Sequence, residues 1–411
     1  MASVMGLSER RLAKVRDRLE AFAGEMFDGA AQRSEQRKWA GVYLRGLMLE
    51  GRRKSIEPMA DRLADGDEQG LQQFVNQSPW RWEIVRANLA VRMVAEISPE
   101  AWIVDDTGFP KKGRCSVGVA RQYSGTLGRV DNCQVGVSIS AATDHASCPV
   151  NWRLFVPAEW DEDVKRRAKA HLPDDIVHVA KWQLALDMLD EAAGWGLAPP
   201  LVCADAGYGE ITAFRSGLDE REIPYIVQVK PSTSAYLPPV EPELAPWKGL
   251  GRPPIARYHA KPSSLRDLVV AAGPQAAVQV CWRQGSRGPM TSRFVCLRVR
   301  PANTQLRRRA ADTATQLPLR WLLAEWPAGA AAPTDYWISS LPADTPLSEL
   351  VRLGKLRWRI EHDYRELKDV LGLDHFEGRS YRGWHHHVTL VSIAHAFLTL
   401  ERQRPRTRAA A

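Results

Sequence analysis

Along residues 8–95 apolar side chains recur every three to four positions, as in Leu12, Val15, Leu19 and Phe22 and again in Val42, Leu44, Leu47 and Leu49. That spacing is the period of an amphipathic helix. Pro is nearly absent from the stretch, and Pro58 and Pro79 fall at plausible breaks. The segments KSIEPMADRL and GLQQFVNQSPW read as two short helices around a turn. A helix-turn-helix fits them, and so does any small helical bundle.

From residue 101 the period changes. AWIVDDTG is a short apolar run ending in carboxylates. SVGVARQYSG and NCQVGVSISAATD read as strands joined by a Gly-containing turn, and NWRLFVP is a further strand. Residues 174–195 read as a helix with Ile176, Val179, Trp182, Leu186 and Leu189 on one face. PPLVCADAGYG is a buried strand ending in a carboxylate, ITAFRSGLDERE a short helix and IPYIVQVK a strand. Strands and helices mixed in this way predict an α/β fold, a mixed sheet with flanking helices. Residues 232–330 depart from it. They are rich in Pro and Gly, then give a β-hairpin from AAVQVCWRQG and SRFVCLRVRPA, so they read as a β-rich insertion. DYWISSLP returns to strand, and residues 347–371 read as one long helix. The expected division is a helical domain over 1–98, a core over 99–231 and 331–400 with the insertion 232–330 inside it, and a basic tail over 401–411.

Composition narrows the classes. Of 411 residues 45% are apolar and 25% charged, which is globular usage and excludes a disordered chain. The six cysteines are scattered with no Cys-x-x-Cys, against both a disulfide framework and a zinc site of ordinary spacing. No apolar run approaches the ~18 residues of a membrane span, and MASVMGLSERR carries no apolar signal core. The expectation is a cytoplasmic protein with reduced thiols.

The net charge of +8 is unevenly spread. Residues 1–98 carry net +2, 99–231 with 331–350 carry −8, the insertion 232–330 carries +9 and 351–411 carry +5. Acidic centres attract cations and basic blocks attract anions, so a metal-dependent enzyme acting on a polyanion has use for both. A plain drift of surface charge gives the same numbers.

Three places hold carboxylates in suggestive settings. Asp105 and Asp106 follow the run WIV, Asp205 ends LVCA, and Glu361 lies on the 347–371 helix. Hard divalent cations prefer oxygen donors, and two such ions bridged by carboxylates cleave phosphodiesters. A lone Asp at a strand end is more commonly a turn or cap residue. On a helical wheel Leu356, Ile360, Tyr364, Leu367 and Leu371 share an arc of about 80°, and Arg357, Glu361 and Lys368 fall together beside it. Arg357 and Glu361 equally suit an i,i+4 ion pair.

The string RWRIEHDYRELK at 357–368 resembles the third catalytic block of bacterial insertion-sequence DDE transposases, Tyr-x2-Arg-x3-Glu-x6-Lys. Arg357, Glu361 and Lys368 match its last three positions, while Gly354 stands where the block has Tyr. WIVDDTGFPKKG, CADAGYGE, LGLDHFEGRSYRGWHHH and EQRKWAGVYLRGL are similar to blocks of the insertion-sequence family numbered seven hundred and one, and the resemblance covers roughly residues 30–400.

The resemblance implies an RNase H-like catalytic domain whose first carboxylate lies on the first strand, the second on the fourth and the Glu on a later helix. On this sequence those positions are Asp106, Asp205 and Glu361. Asp106 is preferred over Asp105, the fallback, because the related group has Asp followed by Thr, as in Asp106-Thr107. It further implies Mg²⁺, or Mn²⁺ in its place, with two ions per active site. The implied partners are double-stranded DNA, as transposon inverted-repeat ends and target, and a second copy of the chain in a synaptic homodimer. Under it Arg357, Lys368, Lys111 and Lys112 would position phosphates, the helical domain 1–98 would bind DNA, with two basic clusters in Arg33, Arg37 and Lys38 and in Arg52, Arg53 and Lys54, and the basic insertion 232–330 would contact transposon-end or flanking DNA. Trp358 and Trp282 would stack on an unpaired base, although both also suit core packing. His385, His386 and His387 begin an apolar-faced helix and point different ways, which speaks against metal binding. Tyr208 and Glu210 resemble family residues without a role that the sequence supplies.

Overall fold

A computed structural model describes residues 9–404 except 126, 248, 251–253 and 314, and only the backbone of residues 9–11. Most of the basic C-terminal tail therefore lies outside the described residues. In chain order the elements are α1 (Glu9–Met26), α2 (Ser34–Met48), α3 (Ile56–Ala60), α4 (Glu68–Asn76), α5 (Trp82–Ile97), β1 (Ala101–Pro110), β2 (Ala120–Ser124), β3 (Arg129–Ala142), β4 (Ser147–Phe155), α6 (Val164–Lys169), α7 (Lys181–Gly194), β5 (Val202–Ala204), α8 (Ala206–Gly209), α9 (Thr212–Glu220), β6 (Tyr225–Val229) and β7 (Ser234–Tyr236). They continue with β8 (Ser263–Ser264), α10 (Leu265–Ala272), β9 (Val278–Gly285), β10 (Gly288–Pro301), α11 (Thr304–Thr313), β11 (Arg320–Glu325), β12 (Asp335–Ser339), α12 (Leu347–Lys355), α13 (Trp358–Asp369) and α14 (Tyr381–Gln403). The fold is mixed α/β and RNase H-like, with strands of both directions and flanking helices. Among the described residues no helix is long and apolar enough to cross a membrane.

The chain forms two compact units. One takes its elements from the stretch up to Glu100, from Val104–Ala198 and from Arg359 onward; the other comprises Ala101–Ile103 and Pro199–Trp358.

In the first unit β1 pairs with β3, and β3 also pairs with β2 and β4. The Glu100 amide bonds to the Ala142 carbonyl and the Lys111 amide to the Asn132 carbonyl, so β1 and β3 run antiparallel. The ladder carries β1 beyond the expected strand end: Asp105 and Asp106 lie mid-strand, because pairing with β3 continues past them to Lys111. Residues 174–180 of the expected 174–195 helix are not helical, contrary to the apolar spacing. The His178 amide bonds to Asp161 and its ring to the Val156 carbonyl, so the segment is tied to the loop behind β4 and α7 begins at Lys181.

Helix α14 is buried through most of its length and packs on α2, α4, α5 and β4, which explains its lack of an obvious polar face. The three consecutive histidines are core residues with separate partners. The His385 ring accepts from Arg86 at 2.7 Å, and His386 stacks on Trp80 with ring centres 3.6 Å apart. His387 bonds to the Tyr43 hydroxyl at 2.9 Å and the Gly372 carbonyl at 3.0 Å.

Arg86 itself is buried and donates to the Trp152 carbonyl at 2.8 Å, tying α5 to β4 and α14. The short helices α3 and α4 are joined by residues 61–67, with Asp67 capping α4 through the Gly70 amide at 2.6 Å. The stretch 56–68 is acidic, with Glu57, Asp61, Asp65, Asp67 and Glu68 against Arg62.

In the second unit the strand order is β1 (its first three residues), β5, β6, β12, β11, β10, β7, β8, with β9 beside β10. β5 and β6 are parallel, whereas β6 with β12, β12 with β11 and β11 with β10 pair antiparallel. β9 and β10 form the hairpin read from the sequence. The insertion also holds α10 and α11, which its Pro and Gly content hides. Each is started by a cap, Ser264 accepting from the Asp267 amide and Asn303 from the Leu306 amide; α10 buries Leu265, Leu268 and Val269, and α11 buries Ala310.

The expected single helix over 347–371 is two helices. α12 buries Leu350, Val351, Leu353 and Gly354, and α13 buries Ile360, Asp363, Glu366 and Leu367. On one straight helix these two faces would point roughly 150° apart. The break at Leu356–Arg357 lets each be buried.

Candidate active site

Adjacent residues on a strand face opposite sides of the sheet, so Asp105 and Asp106 cannot serve one site equally. Asp105 Oδ1 accepts the amide N–H of Asp106 at 2.7 Å. Asp106 instead meets the first residue of α7: Lys181 Nζ lies 2.7 Å from its Oδ2, in a pair whose side chains are 38% and 23% exposed. Nothing local in the sequence marks Lys181, which three strands, β2 to β4, and helix α6 separate from Asp106 along the chain.

Asp205 follows the last residue of β5 and is the N-cap of α8, its carboxylate accepting the Tyr208 amide at 3.3 Å. The cap reading and the site reading of this Asp are compatible, because a carboxylate has more lone pairs than one N–H uses. Glu210 supports the turn from the other end, accepting from the Lys230 amide and from the Thr233 hydroxyl at 2.8 Å. Glu361 is exposed on the first turn of α13, while of the expected stripe Leu356, Ile360, Leu367 and Leu371 are fully buried and Tyr364 is half-buried. Asp106 and Glu361 belong to the first unit and Asp205 to the second.

The expected DNA-side cations take different positions. Lys368 donates to the Gly108 carbonyl of β1 at 2.9 Å, and burial pushes its ammonium pKa down. Lys111 donates to the Phe376 carbonyl at 2.6 Å and is pushed down by burial as well. Lys112 is exposed, and Arg357 is half-buried in the break between α12 and α13. The guanidinium of Arg283 stacks on Trp358 at 3.7 Å. Trp282 meets Phe294 edge-on at 5.8 Å, and Lys355 Nζ lies 5.4 Å from its ring centre while bonded to Glu325. Sequence reading names neither Arg283 nor Lys355, since a cation above an aromatic ring leaves no periodic signal.

A family model described as DDE superfamily endonuclease matches residues 25–289. The chain belongs to the DDE superfamily endonuclease family. The match includes Asp106 and Asp205 and ends before Glu361. A protein described as a probable transposase for insertion sequence element IS701, from Microchaete diplosiphon, is 29% identical over 189 residues, covering 45% of this chain and 47% of that protein. The chain thus spans about half the length of that curated relative.

Membership of this DDE superfamily implies a divalent metal requirement. The donor chemistry of Asp106, Asp205 and Glu361 fits a hard divalent cation, being all carboxylate oxygen. Asp106 already carries a positive partner in Lys181. Among the described residues no three His, Cys, Asp or Glu side chains stand gathered as a ready metal cluster.

Proposed function

We propose that this chain is a transposase of a bacterial insertion sequence, which cleaves transposon-end DNA and joins the ends to target DNA. The observation that carries the proposal is the DDE endonuclease match across Asp106 and Asp205, supported by the similarity to a probable transposase. Asp106, Asp205 and Glu361 would hold two Mg²⁺ or Mn²⁺ ions. Such ions supply an activated water and charge stabilisation on the leaving oxygen. Cleavage and joining are both in-line displacements at phosphorus, so one set of carboxylates serves both.

The remaining roles belong to the chain's own surface. Lys112 and Arg357 position phosphates; Lys368 and Lys111, with ammonium groups on backbone carbonyls, hold the walls of the site as well. Trp358 and Trp282 are the proposed stacking residues. The helical region 1–98 contacts DNA through Arg33, Arg37, Lys38, Arg52 and Arg53, because 56–68 is acidic. The +9 insertion 232–330 contacts end or flanking DNA. The active form is a homodimer that pairs two ends.

The test is a joining assay with pre-nicked end duplex, target plasmid and Mg²⁺ or Mn²⁺. Wild type yields joined product, and Glu361→Gln binds ends but joins none. A fully active Glu361→Gln overturns the assignment.

A further inference from the structure

The stretch that follows Asp106 is unusual in charge. Residues 107–130 contain Lys111, Lys112, Arg114, Arg121 and Arg129 and no Asp or Glu, and the next residue, Asp131, pairs with Arg129 at 2.9 Å, leaving Lys112, Arg114 and Arg121 as the cations that bear on binding. The end of the stretch runs into the ribbon formed by β2 and β3, where the Leu127 amide lies on the Ser124 carbonyl and Gly128 has φ 63°. In this ribbon Tyr123 stands directly opposite Val130, and Arg121 opposite Asn132. Since side chains alternate along a strand, Arg121, Tyr123 and Val130 share one face. Tyr123 is 62% exposed and Val130 54%, and Leu127 at the turn is exposed too.

The base of the ribbon is tied down. Asn132 Nδ2 donates to the carbonyls of Lys111 and Gly113, Gln122 Nε2 to that of Cys133, and Arg166 Nε to that of Arg114. Lys111 fixes the same loop to the Phe376 carbonyl. A cationic two-stranded ribbon on a fixed base, with an exposed aromatic–aliphatic pair on one face, suits one occupant: a groove of duplex DNA. The cations meet phosphates and the Tyr123–Val130 pair meets the apolar sugar and base edges.

We infer that the β2–β3 ribbon, with Lys112 and Arg114 at its foot, is a DNA-contacting finger beside the strand that bears Asp106. The inference rests on the function proposed above and adds a surface to it.

The experiment is fluorescence anisotropy of the full chain with an end duplex and a random duplex of equal length, between about 50 and 200 mM KCl. A Lys112→Ala, Arg114→Ala, Arg121→Ala triple variant is expected to reduce the slope of log affinity against log salt by about 2 to 3, on both duplexes. Tyr123→Ser is expected to weaken binding about tenfold with the slope unchanged, because an uncharged contact releases no counterions. Thermal midpoints equal to wild type show that the variants fold. Binding and slope equal to wild type in both variants overturn the finger while leaving the transposase reading intact. Wild type without salt-dependent DNA binding overturns the transposase reading itself. Tyr123→Ser that changes self-association of the chain and not DNA affinity makes the ribbon a protein contact and overturns the inference.

Discussion

The ammonium of Lys181 donates to Oδ2 of Asp106 at 2.7 Å, placing a positive charge on the carboxylate that the family resemblance selects as the first metal ligand. The two side chains are partly exposed, so the pair itself is worth under about 1 kcal/mol. Lys181→Met is therefore expected to leave the thermal midpoint nearly unchanged. It also removes the charge that competes with a cation at Asp106, so Mn²⁺ should bind more tightly, as read by isothermal titration calorimetry. Weaker Mn²⁺ binding in the variant would show that Lys181 orients the carboxylate rather than competing for it.

Asp205 is both an N-cap and a proposed ligand, and two substitutions separate these roles. Asn keeps a side-chain acceptor for the Tyr208 amide, whereas Ala removes it. Asp205→Asn should unfold like wild type and Asp205→Ala about 1 kcal/mol more easily, with strand joining lost in both. Asp105→Asn, on the opposite face of β1, should keep joining activity. Equal loss of joining in the Asp105 and Asp106 variants would refute the choice between them.

Burial makes stability depend on pH through α14. His386 and His387 are both pushed down to about 3, first by burial, although their backbone carbonyl partners oppose the shift. His385 is held well below its ordinary value by burial and then by Arg86. Each ring is neutral in the folded chain and takes a proton in the unfolded chain below about pH 6.5. The unfolded state then binds more protons, so this contribution to stability is intact above about pH 6.5 and is lost as the pH falls from there towards 3. Three rings give a loss of about 4 kcal/mol between about pH 7.5 and 5.5, measurable by urea unfolding. A midpoint independent of pH over that range would contradict buried neutral rings.

Arg86 is a buried cation whose pKa burial lowers to about 10. It serves the Trp152 carbonyl and His385, both buried. Arg86→Met keeps much of the volume but orphans these acceptors. We expect a loss of about 3 kcal/mol or more in urea unfolding, with secondary structure retained at low denaturant. A loss below about 1 kcal/mol would mean that water replaces the guanidinium.

Much of the fold was legible in the chain, for a local reason. Helices α1, α2 and α5, the β2–β3 and β9–β10 hairpins, and the buried stripe of α13 follow from periods and turn residues, which act over a few positions. The errors have non-local causes. Pairing with β3 draws β1 past Asp106 to Pro110, contacts to Asp161 and Val156 keep 174–180 out of α7, and a break at Leu356–Arg357 divides 347–371 into two helices whose buried positions do not fall on one helical face.

The sequence by itself determined the chemistry on offer: the carboxylates Asp106, Asp205 and Glu361, the block Arg357–Glu361–Lys368, and a basic insertion in an otherwise acidic middle. Residue type and local spacing suffice for these. Only the tertiary structure decided which groups meet. It set Lys181 on Asp106, turned Lys368 and Lys111 onto backbone carbonyls, laid Arg283 over Trp358, and buried the three histidines that a metal reading would have exposed. Hydrogen bonds, ion pairs and ring stacking act between atoms a few ångströms apart, and a sequence records only distance along the chain.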